Sequence, residues 1–434
     1  MMTQEENDLF TRVGPGTPAG ELLRRYWQPL ALAEELPPGG APKPVRLLGE
    51  DLVLFRDDQG KAGLLDIHCA HRGADLSYGR VEDGGLRCIY HGWLYDVKGQ
   101  CLDQPGEPDG GHSRGNIRQK AYPCHETAGL IFAYLGPGEP PLLPAYEIFA
   151  VPQEYRFASK IYSECNYLQA NEGNIDPVHL SFLHRFFEED LAGRGRPTEF
   201  RKVRGGNVSP NQLFSENLTP TTEIELEDFG VRIYTWRPVG ENAYLRVSNF
   251  VMPNLCAVPG ETQGAGYLIN WHVPIDDEHH WKFMIVFNRK APLDMDRFTK
   301  RYTGEMLPDY RPVRTARNRY GQDRNEQKTK SNTGMGPFFP GHDLYATESQ
   351  GSIQDRTREH LVSSDKAIVA ARKQLLKAIK DVQEGREAQH VVRDPSQNRF
   401  PHLVVLSELL PTSTDWRDYT QKAEAEAREK VSTS

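Results

Sequence analysis

The apolar positions of this chain change rhythm several times along its length. Over 17–35 they recur at helical spacing, with Leu22, Leu23, Tyr26, Trp27, Leu30 and Leu32 on one stripe, and Pro37-Pro38-Gly39-Gly40 ends the run. That predicts an amphipathic helix. From 45 to about 135 the pattern shortens to runs such as VRLLGEDLVLF, GLRCIYHGWLYDV and AGLIFAYLG, divided by Gly, Asp and Pro, which predicts antiparallel strands. GPGEPPLLP, at 136–144, continues neither helix nor sheet and reads as a linker. A boundary near residue 150 follows, giving domains 1–150 and 151–434. Beyond it, 165–184 predicts helix, 223–251 and 266–289 predict long strands of a meander, and 355–384 predicts one long helix with Ile368, Leu375, Leu376 and Ile379 on its apolar side. The charged, small residues from 424 onward are expected to fray. The fold class expected is α+β.

Composition narrows the function. The chain has 434 residues, room for two domains with separate cores, and 52 Lys plus Arg against 60 Asp plus Glu give a net charge of −8. That balance argues against nucleic acid as a partner. No apolar run approaches the roughly 18–20 residues that span a bilayer, and the start MMTQEENDLF lacks the features of a signal peptide. A cytoplasmic enzyme without a membrane partner is the expectation. Six cysteines in so long a chain make no disulfide scaffold. Cys69 and Cys88 each have a histidine close by, whereas Cys101, Cys124, Cys165 and Cys256 read as small hydrophobes.

Cys69-Ala70-His71-Arg72-Gly73 and Cys88-Ile89-Tyr90-His91-Gly92-Trp93 thus present two Cys/His pairs in Gly-rich turns. Two thiolates for one iron and two imidazoles for the other are what an asymmetric [2Fe-2S] cluster requires. A structural zinc site is the competing reading, although such sites usually space their first ligand pair more widely. About ninety residues further on, Asp176-Pro177-Val178-His179 and His184 supply histidines five positions apart, near enough on a helical turn to share a metal. With a carboxylate they would complete the 2-His-1-carboxylate set of non-haem Fe(II) oxygenases. Asp343, Asp355 and Asp365 compete for that third place.

The two Cys/His pairs resemble the Rieske motif of ring-hydroxylating oxygenases. Respiratory Rieske proteins carry a disulfide across the cluster loops. Here Ala74 and Tyr90 hold those places, and Trp93 stands where a hydroxyl would bond to sulfur, which implies a potential near the low end of the range, roughly −150 mV. Asp176, His179 and His184 are similar to the family pattern Asp-x-x-His-x-x-x-x-His. Asp176 falls at the position that joins a cluster histidine of a neighbouring subunit to an iron-bound histidine; on the residues alone, it also reads as a helix start. The segment from Gly341 to Gln350 resembles the one in which the ligand aspartate precedes a helix bearing a glutamate five positions on, favouring Asp343 with Glu348. The opening TQEENDLFTRVGPGTPAGELLRRYWQP and IQDRTREHLVSSDKAIVAARK are similar to the phthalate dioxygenase branch.

The resemblance implies a β-rich Rieske domain followed by a catalytic domain whose antiparallel sheet is covered by helices, helix-grip-like. It implies one [2Fe-2S] cluster and one Fe(II) per chain, held by Cys69, His71, Cys88 and His91 and by His179, His184 and Asp343. It further implies electrons from NAD(P)H through a flavin/iron-sulfur reductase or ferredoxin, and a homo-oligomer built on trimers in which one subunit's cluster serves the next subunit's iron. The expected reaction is hydroxylation of an aromatic acid with O2, with O-demethylation of a methoxylated acid as the alternative. An electron carrier, which would need only the first domain, and a zinc-binding interaction protein are the other classes. An anionic ring calls for Arg or Lys in an apolar pocket, and Arg204, Arg237, Arg246 and His272 are candidates.

Overall fold

The computed structural model describes residues 2–432 apart from 109–110, 113, 188–209, 261 and 263, with the side chains of 210–212 and 427–432 also outside the description. Arg204 lies outside the described residues. The chain divides into two compact units, one of Arg12–Leu143 with Val273–Asp277, the other of Met1–Thr11, Pro144–His272 and Glu278–Ser434. The divide at Leu143 falls inside the predicted linker. The first eleven residues, assigned to the N-terminal domain by the sequence reading, instead belong to the second unit: Tyr167 Oη donates to the Phe10 carbonyl and Asn166 Nδ2 to that of Thr11.

The smaller unit has three antiparallel sheets, and its two four-stranded ones contribute to a core that includes Val53, Phe55, Leu65, Ile67, Leu76, Leu86 and Tyr95. The predicted helix over 17–35 is shorter than expected. Thr17 caps a helix over Pro18–Leu23, and the chain then becomes the strand Gln28–Leu32. Every residue of that strand is buried, so its apolar positions run on without alternation and periodicity cannot separate strand from helix. Pro29 is tolerated because the strand pairs on one side only, with a bulge after it.

The larger unit is an eight-stranded antiparallel sheet, in the order Arg156–Ser163, His280–Phe287, Leu268–Pro274, Leu255–Val258, Asn242–Val251, Gly230–Val239 and Thr221–Glu227, with Leu406–Pro411 beside Asn242–Val251. Helices Tyr167–Ile175, Phe339–Glu348 and Lys366–Gln383 accompany it. The long helix begins at Lys366 rather than 355. Before it, Asp355 accepts from Thr357 N and Asp365 from Val362 N, side-chain bonds that favour short turns over a continuous helix. Its buried face is Ala367, Ala370, Ala371, Leu375, Ala378 and Ile379, with Arg372 among them. Arg372 and Arg356 both bond to the buried Glu172 carboxylate, which ties the helix Tyr167–Ile175 to the C-terminal part of the unit. Glu172 is thereby held below the usual carboxylate range despite its burial. The chain end, expected to fray, is a helix over Trp416–Ser432.

Candidate metal centres

Cys88 opens a loop immediately after the strand Gly85–Arg87 and Cys69 one three residues past the strand Ala62–Asp66, and the two loops close in the same way. Gly73 N donates to the Cys69 carbonyl at 2.8 Å and Gly92 N to the Cys88 carbonyl at 3.0 Å, while Cys69 N and Cys88 N donate to Ala74 and Trp93 carbonyls. Both glycines are left-handed, with φ of 74° and 78°, and a Cβ on Gly92 would meet Pro105 at 2.6 Å. Side chains brace each loop from elsewhere. Gln119 accepts from Ala70 N and donates to the Asp66 and His68 carbonyls, and Arg87 donates to the Gly92 carbonyl while pairing with Glu82, Asp83 and Asp103.

Within this frame the Cys69 and Cys88 thiols are buried, and burial together with the Cys69 charge pushes Cys88 above the ordinary thiol range. Two such thiolates side by side call for a bound cation. His71 stacks on Trp93 with centroids 4.3 Å apart, stands 4.6 Å from His91, and keeps Nδ1 buried with no hydrogen-bond partner. That orphaned nitrogen and the paired thiols fit a cluster. The opposite side is open: His91 is exposed, its ring against Tyr90, and Ile89 and Tyr90 are 61% and 58% exposed. With Trp93 in place of one hydroxyl, another is still within reach of a sulfur: Tyr95 Oη lies 3.3 Å from Cys69 Sγ.

In the larger unit, one ligand atom from each of His179, His184 and Asp343 lies within 4.8 Å of the others, and among the described residues this is the metal-capable group. Asn166 caps the helix Tyr167–Ile175, Asp176 ends it, and its Oδ1 accepts from Val178 N to aim the next short helix, His179–Phe182. Asp176 therefore closes one helix instead of starting one. His179 Nδ1 donates to the Asp176 main-chain carbonyl at 2.6 Å, not to its carboxylate, leaving Nε2 as the lone pair. For His184 the anchor is His342: its Nε2 donates to the Gly336 carbonyl at 2.9 Å, so its Nδ1 accepts from His184 Nδ1 at 3.3 Å. His184 Nε2 is then an acceptor, buried and without a hydrogen bond, 3.0 Å from Asp343 Oδ1. Burial holds His184 neutral, pushed down to about 3, even beside that carboxylate.

Asp343 lies within the helix Phe339–Glu348, not ahead of it, and Glu348 ends that helix, bonded to Glu164 N and Tyr320 Oη. Although burial alone would raise Asp343, Lys282 and His184 hold it well below the usual range. Two imidazoles and an anionic carboxylate suit Fe(II). Asp355 and Asp365 serve only as turn caps.

Two cavities, of about 610 and 600 Å³ including the space open to solvent, meet at Asn174, His179, Lys282, Pro340 and Asp343. Arg246 and Arg301 line the first together with Leu180, Met284 and Phe339. The remaining sequence candidates fall elsewhere. Arg237 is spent on the Pro177 and Asn217 carbonyls. His272 is a buried core histidine between His280 and Asn174, and burial keeps it far below its ordinary pKa. Sequence reasoning missed Tyr95, Gln119, His342 and Lys282. His342 alone had a local signal, as the neighbour of Asp343.

A fold with these two sites, one built of paired Cys and His and one of two His and a carboxylate, defines a class that family comparison confirms. Residues 26–123 match the Rieske [2Fe-2S] domain and 133–434 the LigXa C-terminal domain like family. The chain belongs to the Rieske non-haem iron oxygenases: it is an enzyme, a terminal oxygenase component carrying a [2Fe-2S] cluster and a mononuclear iron. It is 34% identical to the 5,5'-dehydrodivanillate O-demethylase oxygenase subunit of Sphingobium sp. (strain NBRC 103272 / SYK-6), over 92% of this chain and 85% of that one. To the phthalate 4,5-dioxygenase oxygenase subunit of Pseudomonas putida it is 33% identical, over 96% and 95%. In fold it is similar to dicamba monooxygenase bound to 3,6-dichlorosalicylic acid, with a TM-score of 0.56 at 19% identity over 84% of this chain and 99% of that one.

Proposed function

We propose that this oxygenase acts on an aromatic carboxylate, with Cys69, Cys88, His71 and His91 holding the cluster and His179, His184 and Asp343 the iron. The observation that carries the substrate class is the first cavity, where apolar walls from Leu180, Val258, Met284 and Phe339 face Arg246, Lys282 and Arg301 beside the iron ligands. A ring fits against the walls, and Arg246 is the residue assigned to its carboxylate. The names of relatives point the same way, dehydrodivanillate, phenoxybenzoate, phthalate and 3-chlorobenzoate each being an aromatic acid.

The bound cluster supplies single electrons and the bound iron a site for O2. The chain's residues do the rest: His342 and the Asp176 carbonyl fix both ligand tautomers, and Asp176 is assigned as the bridge to a cluster histidine of a neighbouring subunit. Exposed His91, with the exposed Ile89 and Tyr90 just before it, supports that contact and a trimer-based assembly. NAD(P)H, through a reductase or ferredoxin, provides the two electrons. Dihydroxylation puts both oxygen atoms into the ring, whereas O-demethylation releases phenol, formaldehyde and water from an aryl methyl ether. The 34% identity to an O-demethylase subunit keeps the second reaction in view. Oxygen uptake and formaldehyde release, measured with a reductase over phthalates, benzoates and methoxylated benzoates, decide between them. Turnover of neutral aromatics only would remove the carboxylate reading.

A further inference from the structure

Lys282 lies on the strand His280–Phe287, is buried, and lines both cavities where they meet. Its Nζ is 3.3 Å from Asp343 Oδ2, while Asp343 Oδ1 is the oxygen that stands 3.0 Å from His184 Nε2. The two carboxylate oxygens therefore have different neighbours. One faces the lone pairs of the other ligands, and the other faces an ammonium. A metal ion and an ammonium compete for a carboxylate oxygen, and placing both cations on one buried group costs energy.

We propose that Lys282 is a positioning residue of the iron centre: by holding Asp343 Oδ2 it leaves a single carboxylate oxygen to the metal. The site then binds iron more weakly than its three ligands would allow. In exchange, a coordination position that a second Asp343 oxygen would occupy stays open on the cavity side. This inference rests on the assignment of His179, His184 and Asp343 as the iron ligands.

The test strips the mononuclear iron from the full-length holoprotein, keeps the cluster, and titrates Co(II) into the empty site. Parent protein should bind one Co(II) per chain and His184→Ala none; failure there removes the ligand assignment rather than the role of Lys282. Lys282→Met removes the ammonium at similar length. Its Co(II) affinity should rise by about tenfold or more, the loss of a neighbouring unit charge alone being enough for that. Its visible Co(II) bands should also weaken, as coordination number increases. Lys282→Arg should return both readouts to the parent values. Lys282→Gln carries the same expectation as the methionine variant and replaces it if that protein does not fold. Unchanged or lowered affinity, or bands of parental intensity in both neutral variants, would overturn the proposal.

Discussion

Each half of the cluster site is a loop that closes on itself, with a left-handed glycine four residues after its cysteine, while the iron site joins His184 to a helix whose His342 is 158 positions away. The first can be read from spacing because its geometry is local. In the second, the step from His179 to His184 and the bond that orients His179 from the Asp176 carbonyl are local, whereas His342 and Asp343 arrive from far along the chain. A metal site written into loops advertises its ligands, whereas one assembled from tertiary contacts hides its carboxylate among equals.

The largest effects should separate the two sites completely. Cys88→Ala removes one of the two cluster thiolates and should bleach the visible spectrum and abolish turnover. His184→Ala should abolish turnover equally but keep the colour, lowering iron from about three to about two atoms per chain. If His184→Ala lost the visible bands, the division into two independent sites would fail. Iron analysis also tests the carboxylate. Asp343→Ala should lose the mononuclear iron, and Asp355→Ala and Asp365→Ala should keep it, because those two carboxylates are occupied with backbone N–H groups of exposed turns.

These outcomes also mark what was legible in the sequence. The strands of both units and the two Cys/His turns announced themselves through alternation and through spacing. The helix over 17–35 misled because a fully buried strand carries no period, and the helix over 355–384 because Asp355 and Asp365 spend their side chains on local turns. Arg237 and His272 looked like pocket residues, since nothing in a sequence tells an arginine bound to backbone carbonyls from one facing a ligand. Lys282 and Tyr95 were invisible for the converse reason: their partners, Asp343 and Cys69, are 61 and 26 positions away.

Asp176→Asn probes a link between the two kinds of site at smaller cost. Asparagine keeps the oxygen that accepts from Val178 N, and His179 is held by the main-chain carbonyl, so the iron site should survive. Only the negative charge is lost. In single turnover from a pre-reduced cluster, oxidation should slow on the order of 100-fold while reduction by the partner stays normal. Cluster oxidation at the parent rate would return Asp176 to a purely local role in shaping the turn.

The smallest effect concerns the cluster's potential, and it asks whether this self-contained site is tuned from outside its loops. Tyr95 sits on the strand after the second loop, its ring in the core that also holds Cys69 and Cys88 and its hydroxyl at Cys69 Sγ. Burial and the neighbouring Cys69 raise the phenol well above its ordinary pKa, so it remains protonated and donates to a ligated sulfur. A donor stabilises the reduced cluster, which carries one more negative charge, more than the oxidised one. Tyr95→Phe keeps the ring and deletes that bond. With a hydrogen bond contributing about 1 kcal/mol, the potential of this one-electron couple should fall by about 40 mV, with the visible spectrum retained. An electrochemical titration showing no fall would mean that the hydroxyl does not bond to the sulfur of the assembled cluster.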